Sequence, residues 1–264
     1  MAHTSTHSPS PGARDLSGVR VAITGGTSGL GLALVDALRE RGAKVAFIAR
    51  TAARVAQVSA TRADVAGIVG DIADKDAIYP LALQIAGLLG GLDVLINNAS
   101  SLGPVPLAPL ADTASEDLEA TLATNLVGPF RLTKALLGSL ASSARERGGA
   151  LVVNVTSDAA VEPYPDWGAY GASKAALRHL TRIWDAELAR ERIRLRSFDP
   201  GDMDTPLHAL AIPDADRSTL RQPADAAREC VDLIADELLM LRDGFAAETI
   251  AESTALAAAT HGDR

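Results

Sequence analysis

Tyr170 and Lys174 stand four residues apart in a stretch with helical patterning, so their side chains share one face about 6 Å apart along the axis. The chain has 3 tyrosines and four lysines in 264 residues, and chance would place roughly 0.05 such pairs. A free phenol ionises near pH 10 and is a poor base at neutral pH. A neighbouring ammonium favours the phenolate, so Tyr170 is expected to ionise more readily than a free phenol. It then exchanges a proton with an oxygen passing between alcohol and carbonyl. Ser157 lies just past the end of an apolar run, where its hydroxyl can hold the same substrate oxygen. An ordinary turn serine would look the same.

These residues need a scaffold, and the hydrophobic pattern supplies one. Short apolar runs at Val19–Thr24, Val45–Ala49, Val65–Val69, Leu92–Asn97, Ala150–Thr156 and Ile193–Phe198 read as buried strands. Helical stretches separate them: Ala52–Ala60, Lys75–Leu89, one long central helix Ala114–Arg147, Ala169–Arg190 and Ala224–Leu241. Leu30, Leu34 and Leu38 mark the buried face of a first helix, and Gly42 its C-terminal end. Thr113 and Glu116 form a Thr-x-x-Glu capping box at the start of the central helix. Alternation of this kind predicts an α/β fold, a single-domain Rossmann-type doubly wound parallel sheet with helices on both faces. The carboxyl ends of its strands border the ligand crevice, which is where Ser157 falls.

Composition narrows the function. A net charge of -8 gives no basic surface for nucleic acid or anionic membrane. The single cysteine, Cys230, excludes a disulfide framework and a multi-cysteine metal site, and reads as a small buried hydrophobe. No metal is expected. No run of 18 apolar residues is present, so no membrane span is expected. Met1–Ser17 is rich in Ser, Thr, Pro and Gly, lacks an apolar secretory core, and reads as a disordered tail carrying His3 and His7. Residues 18–264 form the predicted domain, in an expected cytoplasmic protein.

Between the first strand and first helix lies Thr24-Gly25-Gly26-Thr27-Ser28-Gly29-Leu30-Gly31. Glycines at 25, 29 and 31 permit a tight turn and close approach to a pyrophosphate, which the helix N-terminus then faces. A glycine turn alone also occurs where nothing binds.

With the turn spaced Gly-x-x-x-Gly-x-Gly, the chain from Leu16 to Ala235 resembles the classical short-chain dehydrogenase/reductase family. Asp71-Ile72 is similar to its adenine-contacting pair, and Asn97-Asn98-Ala99 to its Asn-Asn-Ala-Gly signature, with Ser100 replacing the glycine. Pro200-Gly201-x-x-x-Thr205 resembles the element that holds the nicotinamide end. The resemblance implies a cofactor site of Gly25, Thr27, Ser28, Gly29, Leu30, Gly31, Arg50, Asp71, Ile72, Asn98, Ala99, Tyr170, Lys174, Pro200, Gly201 and Thr205. It also implies a catalytic tetrad of Asn125, Ser157, Tyr170 and Lys174. In the family, the asparagine distorts the central helix so that its main-chain carbonyl holds a water linked to the lysine; otherwise Asn125 is a solvated helix-face residue. Lys174 serves both the phenol and the nicotinamide ribose by the same resemblance.

The expected activity is hydride transfer between NADP(H) and a carbonyl/secondary-alcohol pair. An acid ending the second strand would hydrogen-bond the ribose of NAD and repel the extra phosphate of NADP. Ala49 and Arg50 stand there instead, and Arg54 follows one turn later. A guanidinium pairs bidentately with phosphate, although an exposed strand-end arginine is common. Two other functions compete: a non-catalytic dinucleotide-binding regulator or scaffold, and a family member using the tetrad for a non-redox step. The intact Tyr170 and Lys174 oppose the first, and the intact glycine turn the second.

The segments Ser100–Leu110, Asp158–Trp167 and Gly201–Gln222 are expected to face substrate. Their Leu102, Val105, Leu107, Val161, Tyr164, Trp167, Met203, Leu207 and Leu210 suit a small, mainly apolar ketone or alcohol. Asp202, Asp204, Asp214 and Asp216 disfavour a strongly anionic one, and His208 reads as a surface-loop residue. Gly244–Ala251 matches the family's seventh strand poorly. The resemblance implies a homodimer or homotetramer, and that departure bears on the second.

Overall fold

The computed structural model describes residues 15–261, with side chains described through Ala247. Six strands form one all-parallel sheet: β1 (Arg20–Thr24), β2 (Lys44–Ala49), β3 (Ala66–Val69), β4 (Val94–Asn97), β5 (Ala150–Val155) and β6 (Ile193–Phe198). Their order is β3-β2-β1-β4-β5-β6, so the chain winds outward one way from β1 and then the other way from β4. The crevice between β1 and β4 is the switch point at which such sheets bind ligands.

Successive strand side chains point to opposite faces, which builds two cores. Val21, Ile23, Val45 and Phe47 pack with α1 (Gly29–Glu40), α2 (Ala52–Thr61) and α8 (Pro223–His261). Leu30, Leu34 and Leu38 are all buried there, as their four-residue spacing predicts. Ala22, Ala46, Ile48 and Leu95 pack with α3 (Ile78–Leu89) and α5 (Gly128–Arg147) on the other face. Cys230 is fully buried on α8, and desolvation pushes its thiol up to about 12. No helix among the described residues is long and apolar enough to cross a membrane.

The structure corrects several expectations. Leu16, assigned by composition to the tail, is buried in the first core, and its N–H donates to the Arg41 carbonyl. His3 and His7 lie outside the described residues. The central helix is two helices, α4 (Ser115–Leu122) and α5, joined by a π-helical turn at Ala123–Val127. Pro129 supplies the reason: it has no N–H for the Asn125 carbonyl four residues earlier, and its ring crowds that carbonyl. The capping box does not form. Ala114 is the N-cap, and the Thr113 hydroxyl donates to the Pro109 carbonyl instead. Toward the C-terminus α8 continues as one helix to His261, so helix replaces the family's seventh strand.

Candidate active site

A cleft of about 500 Å³ opens along the carboxyl ends of β1, β2, β4 and β5. Its floor is the glycine turn. Gly25 sits at φ +77, and a Cβ on Gly31 would lie 2.1 Å from the Gly25 carbonyl oxygen, so neither position accommodates a side chain. Ser28 precedes α1 in extended conformation without capping the helix through its side chain, and the first turn has no acidic residue. The leading N–H groups of α1 thus retain the positive character that suits a pyrophosphate.

Thr24 ties this turn to β4. Its hydroxyl accepts the Asn98 and Ala99 N–H groups, each at 3.0 Å, while Asn98 Nδ2 donates to the Thr24 carbonyl at 2.9 Å and the Gly25 carbonyl at 3.3 Å. Asn98 therefore lines the cleft with its amide already engaged in shaping the turn. Thr27, Ser28, Gly29, Leu30, Ala99, Pro200, Gly201 and Thr205 line the same cleft. Thr205 approaches from the far side, about 3.2 Å from where a Gly29 Cβ would stand.

At the β2 end lie Ala49, Arg50, Arg54, Asp71 and Ile72. Ala49 and Ile72 are buried, whereas the Arg50 side chain is 74% exposed with Nη1 3.9 Å from the Asp71 carboxylate. Asp71 also accepts the Ala73 N–H at 2.9 Å.

Three of the four expected catalytic residues, Ser157, Tyr170 and Lys174, line the other end of the cleft, and Asn125 lies buried behind them. Tyr170 and Lys174 occupy buried positions on α6 (Gly168–Leu188), with Nζ 5.6 Å from the Tyr170 ring centroid and donating to the Val155 carbonyl at 2.8 Å. Ser157 follows β5 beside them. Its hydroxyl donates to Asp158 at 2.8 Å and accepts the Ala159 N–H at 3.2 Å. Asn125 lies in the π-helical turn and is fully buried, which overturns its reading as a solvated residue. Its Oδ1 accepts the Ser101 N–H at 2.8 Å and the Ser100 hydroxyl at 3.3 Å. Its Nδ2 donates to the Ser101 carbonyl at 2.7 Å and to Ser173 Oγ at 2.9 Å.

Electrostatics differ from the expectation of an acidified phenol. Burial pushes Tyr170 up to about 12, aided by the charges of Asp199 and Asp158, and outweighs the opposing hydrogen bonds of Ser157 and Ser100. Burial likewise brings Lys174 down to about 8 against the pull of Asp199. Tyr170 is thus a neutral acid in the free protein.

Leu102, Tyr164, Trp167, Met203 and Leu207 line the same cleft, together with Ala211 and Ile212. Val105, Val161 and Leu210 are exposed instead, and Leu107 packs beside Leu102, Ala159 and Tyr170. His208 is no surface-loop residue: it sits on α7 (Pro206–Ala211), lines the cleft, and is 11% exposed with Nε2 3.9 Å from Asp202. The sequence reading passed over Ser173, whose place between Tyr170 and Lys174 was its signal, and Asp158, which adjoins Ser157.

Residues 20–215 match the short chain dehydrogenase family. The chain belongs to that family. An oxidoreductase of Thermotoga maritima is 36% identical over 185 residues, covering 69% of this chain and 70% of that protein. A short chain dehydrogenase from Burkholderia cenocepacia, solved in complex with NADP, is 27% identical with a TM-score of 0.72, covering 84% of this chain and 91% of its own. The 3-ketoacyl-(acyl-carrier-protein) reductase from Brucella melitensis, complexed with NADH, shares the fold at 24% identity and a TM-score of 0.77, covering 83% and 91%. This member of the short-chain dehydrogenase family is an oxidoreductase by class, with the parallel sheet and flanking helices of its relatives.

Proposed function

We propose that this short-chain dehydrogenase interconverts a small, mainly apolar ketone and its secondary alcohol, with NADP(H) as the redox partner. The observation that carries the reading is the meeting of Ser157, Tyr170 and Lys174 in the cleft that the glycine turn also lines. The turn fits a dinucleotide, because side chains are excluded where its backbone must approach a pyrophosphate. Gly25, Gly29, Gly31, Ile72, Ala99 and Thr205 would hold that group, and when bound it would supply or take up the hydride at the substrate carbon.

The chain's own residues handle the proton. In reduction, Tyr170 gives its phenolic proton to the carbonyl oxygen as that oxygen gains charge, and solvent restores it. Ser157 holds the same oxygen through its hydroxyl. Lys174, fixed by the Val155 carbonyl, sets a positive charge beside the phenol when protonated and would also hold the nicotinamide ribose of a bound cofactor. Asn125 holds Ser101 and Ser173, and through them the wall and helix that frame the phenol.

Arg50 supports the preference for NADP(H): it stands beside Ala49, with no acid ending β2, and its exposed guanidinium would meet the extra phosphate of a bound NADP(H). The Burkholderia relative solved with NADP is consistent with that choice. The chain acts in the cytoplasm as a homodimer or homotetramer in this reading.

Nicotinamide absorbance, followed with a panel of ketones and alcohols and both cofactors, tests the proposal. Turnover with NADPH or NADP⁺ above that with NADH or NAD⁺ is expected. No turnover with either pair across the panel would overturn the enzymatic reading.

A further inference from the structure

Asp158 is an acid placed directly against a catalytic hydroxyl. Its Oδ1 accepts the Ser157 hydroxyl and the Ala159 N–H, each at 2.8 Å, and its Oδ2 accepts the Tyr164 hydroxyl at 2.8 Å. Three donors fix one carboxylate between β5 and the aromatic wall of the substrate end. Tyr164 lies 6.3 Å from Trp167, ring centre to ring centre, and Trp167 meets the Tyr170 ring edge-on at 5.6 Å. Burial alone would raise Asp158, but the Tyr164 and Ser157 hydroxyls and two N–H groups outweigh it and hold the group below the usual carboxylate range. The carboxylate is charged at neutral pH.

Resting on the proposed carbonyl/alcohol chemistry, we infer that Asp158 is a positioning residue that competes with Tyr170 for the Ser157 hydroxyl and so keeps the phenol a proton donor, favouring carbonyl reduction. Two effects of Asp158 act in the same direction. Its negative charge opposes formation of a phenolate nearby. Its hydrogen bond also draws on the Ser157 proton and so weakens the support that Ser157 gives to that phenolate. The charged groups facing Tyr170 are Asp158 after β5, Asp199 after β6 and Lys174 one turn along α6. Asp199 acts in the same sense as Asp158, and the Lys174 ammonium opposes both. When a carbonyl enters, rotation about the serine Cβ–Oγ bond transfers the hydroxyl from Asp158 to the carbonyl oxygen without backbone movement. Asp158 meanwhile keeps Ala159 and Tyr164, so its charge is never left bare.

The ionisation of Tyr170 is measurable without catalysis. The three tyrosines, Tyr79, Tyr164 and Tyr170, give three ring signals in protein labelled with ¹³C-ζ tyrosine, assigned through Tyr→Phe variants. In the wild type Tyr170 should stay protonated through the range near pH 10 in which a free phenol ionises. Asp158→Ala should lower the Tyr170 midpoint by about one pH unit, a tenfold change in proton affinity, and Asp158→Glu should restore it. Asp158→Asn, nearly the same shape, separates loss of charge from any loss of folding and should also lower the midpoint. Where turnover is measurable, Asp158→Ala should shift the alkaline rise of alcohol oxidation to lower pH, while leaving the KM for cofactor unchanged. An unchanged Tyr170 midpoint in both Asp158→Ala and Asp158→Asn would overturn the inference. Absence of turnover in the wild type would count against the proposed chemistry alone, because the titration still decides the role of Asp158.

Discussion

Asn125 Nδ2 donates to Ser173 Oγ at 2.9 Å, and that hydroxyl donates in turn to the Tyr170 carbonyl at 2.6 Å. The bond fastens the π-helical turn to the part of α6 that carries both Tyr170 and Lys174. It forms because Pro129 breaks the helical ladder at Asn125 and a fully buried amide must find partners for all its polar atoms.

Removing that amide should loosen the site and the fold together. Asn125→Ala leaves the Ser101 N–H, the Ser101 carbonyl and Ser173 short of partners, and a buried unsatisfied group costs about 1–3 kcal/mol. The urea midpoint should fall accordingly, and kcat with it. A variant as stable and as active as the wild type would show that the asparagine positions nothing.

Much of this arrangement is legible in the sequence, for identifiable reasons. Strand runs such as Ile193–Phe198 and the Leu30, Leu34, Leu38 stripe are decided by burial, which leaves a periodic record. Tyr170 and Lys174 are legible because one helix alone sets their separation. Contacts across the fold are not. The Thr24 clamp on Asn98 and Ala99 depends on which strand lies beside β1, and the break at Asn125 depends on a proline four residues away, read as helix by periodicity alone. The acidified phenol failed as an expectation because spacing records the ammonium but not the desolvation that opposes it.

Lys174 should leave a signature in the pH dependence of stability. Its folded value of about 8 lies below the ordinary 10.5, so between those values the unfolded chain binds more protons and stability rises with pH. Cys230, raised to about 12 from 9.0, acts in the opposite sense above pH 9. Urea unfolding from about pH 7.5 to 9 should therefore show a stability gain that is smaller in Lys174→Met. Equal slopes in the two proteins would remove the buried ammonium from the account.

Cofactor preference should hinge on the end of β2. Arg50 is 74% exposed, so its contact with phosphate is discounted for solvent to about 1 kcal/mol, or roughly fivefold. Ala49→Asp combined with Arg50→Ala should reverse the order of NADPH and NADH affinities measured by calorimetry at low salt. If the wild type binds both equally, Arg50 has no role with the phosphate.

Tyr170 as the proton donor is the centre of the account. The decisive measurement is single-turnover oxidation of bound NADPH by a ketone that the wild type reduces, followed by absorbance in wild type and Tyr170→Phe. Cofactor affinity is measured in parallel. The variant should bind NADPH with little change and react at least about 10²-fold more slowly, the scale of general acid catalysis. A Tyr170→Phe protein that keeps more than half of the wild-type rate would contradict the assignment of the proton to Tyr170.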